Sequence, residues 1–215
     1  MSKYVVIDLE MCKVPKGFRR NTFGYSKELI QIGAVLLDET FDITDTFVTL
    51  VKPEYGLVDS YIENLTGISR EDTNNAPNTI EAINSFLEWL PEDAILVSWS
   101  DNDEHQLRKE IKGKNINIER LNSLLDNWVD CQITFGEKMG VDKCYRLSEA
   151  LIIADVCQDD GEHDALVDAK NTAYLFAKMQ REDDLVLNHY IVSEEDAQAG
   201  FNPFAELFAN LKIAV

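Results

Sequence analysis

Three short segments that lie far apart in the sequence each contain a pair of acidic residues, and the last of them also contains a histidine. The segments hold Asp8 and Glu10, then Asp101 and Asp103, and finally residues 163–168. Each lies where an apolar run ends or a helical pattern begins, and α/β folds gather site residues at such places. Convergent carboxylates repel one another, and proteins commonly tolerate them by binding divalent cations. Metal-dependent chemistry is therefore the first hypothesis.

The spacing of Asp8 and Glu10 suits chelation of one ion. Residues two positions apart on an extended strand point to the same face, while Leu9 points to the other. The pair alone is weak evidence, because 39 acidic residues in a chain of 215 produce roughly seven such pairs by chance. Its position directly after the apolar residues 4–7 favours a site over a solvated surface pair.

His163 and Asp168 lie five positions apart, so one continuous helix would place them on different faces. Gly161 indicates instead that His163 lies in a loop and that Asp168 lies in the first turns of the helix that follows. A loop histidine beside a bound metal can act as a general base, whereas the alternative is a surface or capping histidine. His105 and His189 have no motif around them, which favours structural or solvated roles.

Asp101 and Asp103 compete for one place in the site. Asp103 precedes Leu107 by four residues and Ile111 by eight, so it lies along the same edge if those two pack a helix onto the sheet. Asp101 falls before that helix, where its carboxylate can cap free backbone N–H groups. The spacing favours Asp103 as the metal ligand, with Asp101 as the alternative.

The elements that must position these residues alternate along the chain. Apolar runs predict strands at residues 4–8, 29–37, 44–51, 95–99 and 128–131. Helical spacing predicts helices that start at a capping box of Asn78 and Glu81, at Asp103, near Leu147 and after His163. The basic stretch 13–25 reads as a loop. This order predicts an α/β fold with a mixed five-stranded sheet flanked by helices.

The charge balance limits how the protein could hold a polyanion. The net charge of −19 argues against a broad electrostatic grip on nucleic acid, although a narrow, local grip remains compatible with it. If the binding surface is extended, Arg19 and Arg20 are the first candidates for it.

Length and composition predict one domain with a single core, which we place at residues 1–180, followed by a C-terminal extension at residues 181–215. The four cysteines have no CxxC spacing, which argues against structural zinc and for reduced thiols. No apolar run has the length of a signal peptide or membrane span, so we expect a cytoplasmic protein without membrane contact.

The C-terminal extension carries an apolar stripe at helical spacing, formed by Phe201, Phe204, Leu207, Phe208 and Leu211. The plain interpretation is a helix docked on the rest of the protein, and the alternative is a helix that binds a protein partner. The stripe has no basic face of the kind that membrane-surface helices carry.

The order Asp8-x-Glu10, Asp103 and His163-x4-Asp168 resembles the DEDDh 3′-to-5′ exonuclease superfamily, which has a ribonuclease H-like fold. The resemblance covers about residues 3–178. Residues 28–35 are similar to the second strand of that family, and residues 62–68 to its loop ending in Leu-Thr-Gly-Ile. The branch that it resembles contains histone-mRNA and small-RNA trimming exonucleases and the predicted bacterial sporulation-inhibitor exonuclease. Where many relatives have an aromatic residue before the central aspartate, this chain has Asn102.

The resemblance implies a metal-dependent 3′-to-5′ exonuclease that acts on single-stranded RNA or DNA ends and releases nucleoside 5′-monophosphates. Two Mg²⁺ or Mn²⁺ ions would be held by Asp8, Glu10, Asp103 and Asp168. His163 would deprotonate the attacking water, with Glu10 as the second catalytic residue. Leu9, Met11 and Thr66 would contact the terminal nucleotide. The alternative is a module of the same fold that binds nucleic-acid ends with little turnover.

Overall fold

The computed structural model describes residues 3–22 and 24–188. Its sheet has the strand order β3-β2-β1-β4-β5, formed by β1 (Lys3–Lys13), β2 (Lys27–Leu37), β3 (Ile43–Leu50), β4 (Ala94–Ser98) and β5 (Val129–Asp130). The central strand β1 is antiparallel to β2 and parallel to β4. The predicted mixed five-stranded sheet is therefore confirmed.

Helices cover both faces of this sheet. They are α1 (Ser60–Thr66), α2 (Arg70–Asn74), α3 (Thr79–Trp89), α4 (Asn102–Gly113), α5 (Glu119–Leu125), α6 (Cys131–Met139), α7 (Leu147–Ile153) and α8 (Ala165–Arg181). Side chains alternate along β1, so Val5 and Ile7 enter the core with α3, α4 and α5, while Val6 enters the core with α6, α7 and α8. Because both faces of the central strands are buried, β1 and β2 are nearly continuous in apolar residues.

Strand β1 is longer than the predicted residues 4–8. It continues to Lys13 because its second half pairs with β2, with Glu10 opposite Gln31 and Cys12 opposite Glu28. The register shifts between Glu10 and Met11. Glu10 therefore lies on a paired strand, and the predicted loop is confirmed for residues 14–22, 24 and 25.

The sequence prediction of a loop at residues 62–68 is wrong, because most of this segment belongs to helix α1. The carboxylate of Asp59 accepts the backbone N–H groups of Tyr61 and Ile62 at 3.1 and 3.0 Å and so starts the helix. Gly67, with a φ of 72°, ends it in the left-handed conformation. The two end signals were present in the sequence, but the short apolar face between them was not distinctive.

The predicted start of α3 is confirmed. The Asn78 side chain accepts from Glu81 N–H at 3.1 Å, and the Glu81 carboxylate accepts from Asn78 N–H at 2.9 Å. The predicted strand 128–131 is shorter than expected, since Asp130 already caps α6 by accepting from the N–H of Ile133 at 3.1 Å.

No helix among the described residues is long and apolar enough to cross a membrane. All four cysteines are free, with Cys12 and Cys131 buried. Helix α8 ends at Arg181. The predicted division of the chain into a domain at residues 1–180 and an extension at residues 181–215 stays a prediction. His189 and the apolar stripe at residues 201–211 lie outside the described residues.

Candidate active site

Strand β1 turns Asp8 and Glu10 toward one side of the sheet. Both share the alternation of Val6, which packs into the core beneath α6, α7 and α8. Gly33 pairs with Asp8 on the neighbouring strand. A β-carbon at Gly33 would lie 2.2 Å from the carbonyl carbon of Ala165, so only glycine lets the start of α8 approach the sheet here.

The first turn of α8 is held against the same strands. Its N-cap residue, Asp164, accepts two backbone N–H groups of that turn at 2.9 and 3.1 Å. The side-chain oxygen of Gln31, which pairs with Glu10 in the sheet, accepts the N–H of Ala165 at 3.0 Å. These contacts fix Asp168, in the first turn of α8, beside Asp8 and Glu10.

His163 lies in the loop before α8, as predicted, with a φ of 68° in the left-handed region. Its backbone N–H donates to the Asp168 carboxylate at 3.0 Å. The potential ligand atoms of Glu10, His163 and Asp168 all lie within 4.8 Å of one another. The exposed His163 therefore lies between the carboxylate of Asp168, five positions further along the chain, and that of Glu10, which is distant in the sequence.

Asp103 reaches the site from the first turn of α4. It is 6% exposed, its carboxylate accepts the backbone N–H of Leu9, and its charge acts on Asp8. Asn102, which replaces the aromatic residue of many relatives, lines the adjacent cavity and donates its side-chain amide to the Ser100 hydroxyl at 3.0 Å. The register that points Asp103 to Asp8 is therefore compatible with Asn102.

The prediction that the Asp101 carboxylate caps α4 is wrong. Asp101 occupies the N-cap position, but its backbone is already helical, with φ −72° and ψ −4°, and its side chain makes no capping hydrogen bond. A capping residue normally has an extended backbone. The Asp101 carboxylate lies 3.4 Å from His105 Nδ1 instead, and 61% of its side chain is exposed.

Burial and mutual repulsion raise the pKa values of all four site carboxylates. Burial, aided by the charges of Asp168 and Asp103, raises the pKa of Glu10 to about 8. Burial is also the largest cause for Asp8, whose pKa lies well above its ordinary value. The pKa values of Asp103 and Asp168 are raised mainly by burial too. The Lys27 charge opposes the shift at Glu10 and Asp103 only in part.

The donor set fits hard divalent cations. Glu10 and Asp168 offer ligand atoms within 4.8 Å of each other, and the charges of Asp103 and Asp168 act on both Asp8 and Glu10. Carboxylate oxygens are the ligands that Mg²⁺ and Mn²⁺ prefer. The raised pKa values indicate that the described residues provide too little positive charge around these carboxylates. A bound cation would supply that charge.

A cavity of about 490 Å³ opens against these carboxylates. Its wall includes Trp99, Gln132 and Arg146, none of which the sequence pattern singled out. Both the Trp99 ring N–H and the Gln132 amide donate to the Tyr145 carbonyl, at 3.1 and 2.7 Å, which ties the wall together. Arg146 is the only lysine or arginine among the described residues that line the cavity.

Asn171 is a second residue that the sequence reasoning missed. It lies one helical turn after Asp168, is 2% exposed and lines the cavity. Its side-chain amide accepts the Asp159 N–H at 2.7 Å and donates to the Asp159 carbonyl at 3.2 Å. These two bonds attach the loop that carries His163 to α8. The i, i+3 spacing from Asp168 was the available signal.

The three residues expected to contact the terminal nucleotide lie apart from the wall of this cavity. Leu9 is 4% exposed in the core, and Met11 lines a separate groove of about 250 Å³. Thr66 ends α1, with its hydroxyl donating to the Ile62 carbonyl at 2.9 Å. Their contacts with a substrate stay predictions.

A mixed sheet that gathers acidic residues from a central strand and two helices beside a loop histidine defines a nuclease of the DEDDh class. Residues 5–176 match the model of the exonuclease family, RNase_T, and the chain belongs to that family. The family model describes exonucleases, which are hydrolases that cleave terminal phosphodiester bonds of nucleic acids.

Two relatives support this assignment. The chain is 26% identical over 185 residues to ERI1 exoribonuclease 2 of Danio rerio, covering 74% of this chain and 32% of the relative. It is 30% identical over 187 residues to the DNA polymerase III subunit epsilon of Aquifex aeolicus, covering 83% and 81%. The chain thus spans about a third of the length of the zebrafish relative, whose similarity supports the predicted branch.

Solved structures share the fold. The nuclease domain of 3′hExo, a DEDDh family member bound to rAMP, is 20% identical with a TM-score of 0.69, covering 87% of this chain and 96% of that one. Cell-death related nuclease 4 is 19% identical with a TM-score of 0.67, covering 87% and 67%. Exonuclease I of E. coli with dT13 is 16% identical with a TM-score of 0.58, covering 86% and 42%. The predicted ribonuclease H-like fold is confirmed.

Proposed function

We propose that this exonuclease removes nucleotides from the 3′ ends of single-stranded RNA or DNA and releases nucleoside 5′-monophosphates with two Mg²⁺ or Mn²⁺ ions. The observation that carries the proposal is the convergence of Glu10, His163 and Asp168 within 4.8 Å, beside Asp8 and Asp103. Fold neighbours are bound to rAMP, to a histone mRNA stem-loop and to dT13. These neighbours support both RNA and DNA as substrate classes.

Asp8, Glu10, Asp103 and Asp168 would hold the ions. When bound, two such ions supply activation of the attacking water and stabilisation of the leaving 3′ oxygen. The chain contributes the geometry: Gly33 and Gln31 hold the start of α8 against β2, next to Asp8 and Glu10 on β1, so the carboxylates are in place before substrate arrives. Preorganised ligands of this kind need little rearrangement at the moment of reaction.

His163 would take the proton from the attacking water. It lies beside Glu10 and Asp168, it is exposed, and its loop is attached to α8 through Asn171. The backbone N–H of His163 is engaged by Asp168, which orients the residue through its main chain. An exposed imidazole can then pass the proton to solvent.

The cavity beside the carboxylates would receive the substrate strand next to the cleaved bond. Its volume of about 490 Å³ is within the usual range for ligand sites. Arg146 would pair with a backbone phosphate, since a guanidinium matches phosphate oxygens in two parallel hydrogen bonds. Leu9, Met11 and Thr66 are retained as proposed contacts of the terminal nucleotide. We also propose a cytoplasmic location, and a protein partner for residues 181–215 as the alternative to docking.

Matched RNA and DNA oligonucleotides, each linear or circular, test the proposal. With Mg²⁺ or Mn²⁺, purified protein should release nucleoside 5′-monophosphates from linear strands, and a chelator should abolish the release. Circular strands should persist. Cleavage of circles at the rate of linear strands, or undiminished turnover in chelator, would overturn the proposal, and binding without turnover would indicate an end-binding module.

A further inference from the structure

The positive charge of this acidic protein is concentrated in one short segment. From Met11 to Lys27 the sequence contains five basic residues and no acidic residue, although the chain as a whole has 39 acidic residues and 20 basic ones. Residues 13–22 of this segment are called the basic arm here. The arm carries Lys13, Lys16, Arg19 and Arg20, all of them exposed.

Two of these cations have contacts within the protein, since Arg19 Nε donates to the Val14 carbonyl at 3.4 Å and Lys13 Nζ lies 5.5 Å from the centroid of the Tyr61 ring. Among the described residues, no carboxylate forms an ion pair with any of the four, whereas Arg108, Lys114 and Arg181 are all paired elsewhere. Phe18 on the arm is 51% exposed and stacks on Tyr55, with ring centroids 6.2 Å apart. Exposed cations next to an exposed aromatic ring are the combination that holds single-stranded nucleic acid.

The basic arm is a built element of the fold. Its base is closed by the Val14 N–H, which donates to the Ser26 carbonyl at 2.9 Å. Thr22 is fully buried, and its hydroxyl lies 3.1 Å from the Arg19 carbonyl oxygen. Gly113 of α4 lies so close that a β-carbon there would be 2.7 Å from the Thr22 carbonyl oxygen. These contacts therefore hold the backbone that carries the four cations in a fixed position.

A groove lies at the base of the basic arm, where Met11, Gly24 and Ser26, on either side of residues 13–22, line it. This groove of about 250 Å³ is lined by Met11, Lys27, Asn102 and Lys109 among others. Asn102 also lines the cavity at the active site, and the Lys27 charge acts on Glu10. Lys13 lies three residues beyond Glu10 on β1, a separation of about 10 Å along a strand.

We propose that the basic arm binds the phosphate backbone of a single-stranded nucleic-acid substrate outside the cleaved bond. This inference rests on the proposed function and adds the surface that holds the rest of the strand. Nucleic acid fits better than an acidic protein because the groove at the base of the arm shares Asn102 with the cavity beside the carboxylates, in a chain of the exonuclease family. Since the arm is short, the protein combines local phosphate binding with a net charge that opposes broader contact.

The test compares two double variants that remove the same charges. The first variant, Lys16→Gln with Arg20→Gln, alters the basic arm. The control variant, Lys52→Gln with Arg70→Gln, alters two exposed cations that line neither the active-site cavity nor the groove. Two substrates are used with each. One is a single-stranded 12-mer, and the other is the p-nitrophenyl ester of thymidine 5′-phosphate, which has one phosphodiester and no neighbouring phosphates.

For the arm variant we expect the KM of the 12-mer to rise roughly 10- to 30-fold at 0.1 M salt, and the salt slope of binding to fall by about 1.4, as for two lost phosphate contacts. Hydrolysis of the ester should stay unchanged in both variants. An arm variant with the KM and salt slope of the control overturns the proposal and leaves an acidic protein as the partner of the arm.

Failure of the proposed function would look different, because neither substrate would then be hydrolysed by the unmodified protein. Fluorescence anisotropy of a labelled 12-mer still decides the role of the arm in that case. Binding weakened only by Lys16→Gln with Arg20→Gln supports the arm, and equal binding by both variants overturns it.

Discussion

Two groups of carboxylates lie inside this protein, and their surroundings differ. The open cluster is Asp8, Glu10, Asp103 and Asp168 at the active site. The closed cluster is Glu28 and Glu110, both fully buried, with Lys114 between them. Lys114 Nζ lies 3.0 Å from Glu28 Oε1 and 2.8 Å from Glu110 Oε1.

The closed cluster is satisfied by the chain itself. Glu28 accepts the backbone N–H groups of Tyr55, at 2.7 Å, and of Gly56. Glu110 accepts the N–H of Leu29 at 2.9 Å. Burial lowers the pKa of Lys114, but the charge and hydrogen bond of Glu110 outweigh burial, so the pKa of Lys114 is raised. Burial raises the pKa of Glu110, and the charge of Lys114 opposes that shift. The ammonium group therefore keeps its proton, and the cluster joins α4, β2 and the segment before α1.

Within the part of the chain that the structure describes, the open cluster has no such internal partner. Lys27 is exposed and opposes the repulsion only in part, so the pKa of Glu10 rises to about 8. The comparison shows that buried carboxylates alone do not identify a metal site. What distinguishes the active site is that the described residues supply oxygen ligands there without a buried cation that would balance them.

The largest effect should come from removing one ligand of the open cluster. We expect Asp103→Asn to lower metal-dependent turnover by roughly 10³-fold or more, the size of several kcal/mol of lost charge stabilisation. Asp101→Asn should keep its turnover and change stability by less than about 0.5 kcal/mol, because Asp101 makes no capping hydrogen bond. Oligonucleotide assays and thermal melts of both variants measure this. An active Asp103→Asn beside an inactive, folded Asp101→Asn would reverse the assignment.

Removing the internal cation should break the closed cluster. Lys114→Met leaves two buried carboxylates unbalanced, and we expect it to lower the free energy of unfolding by about 3–5 kcal/mol. Turnover per folded molecule should remain, since the cluster lies outside the cavity. Urea unfolding measures the loss, with Lys112→Met on the same helix as the control. Equal stability of the two variants would mean that Lys114 does not hold this cluster together.

Proton transfer at the open cluster should depend on His163. We expect His163→Ala to slow turnover by roughly 10²- to 10⁴-fold, the usual effect of a lost general base, while metal binding survives. Single-turnover rates and a calorimetric Mn²⁺ titration separate the two effects. Near-normal turnover at neutral pH would remove His163 from the mechanism.

A smaller loss should follow when the loop of His163 is released from α8. Asn171→Ala removes both hydrogen bonds to the Asp159 backbone, and we expect kcat to fall roughly 10- to 100-fold as the loop shifts. Asp159→Ala is the matched control, because it keeps the backbone groups that Asn171 binds. The KM of the substrate should change little in either variant. Equal kcat values for the two variants would show that other contacts position the loop.

The smallest effect should appear as a pH dependence of stability. Because the pKa of Glu10 is raised in the folded state, the folded protein binds more protons than the unfolded chain between the ordinary value of 4.5 and about 8. This contribution to stability is lost as the pH rises through that window. We expect the Tm without metal to fall by several degrees from pH 5 to pH 8, and Mg²⁺ to reverse the fall at pH 8.

Glu10→Gln is the control for this measurement. The variant should have a flatter dependence of Tm on pH and a smaller response to Mg²⁺, since one titrating ligand is absent. If the variant and the unmodified protein gave parallel curves, the pH dependence would come from the general acidity of the chain.

Local patterns in the sequence were sufficient for the features that depend on neighbouring residues. Period-two alternation placed Asp8 and Glu10 on one face of a strand. The capping box of Asn78 and Glu81 placed the start of α3, and Gly161 placed His163 in a loop. Each of these depends on backbone geometry over a few residues, which the sequence encodes directly.

Tertiary structure decided everything that depends on residues distant in the chain. Leu29 and Glu110 are joined by a hydrogen bond across 81 positions, and Gln31 holds Ala165 across 134. Only the fold shows that the Asp101 carboxylate makes no cap. The sequence determined which residues could act locally, whereas long-range packing decided which carboxylates are balanced within the protein and which are open to a metal, because charge compensation depends on distance in space.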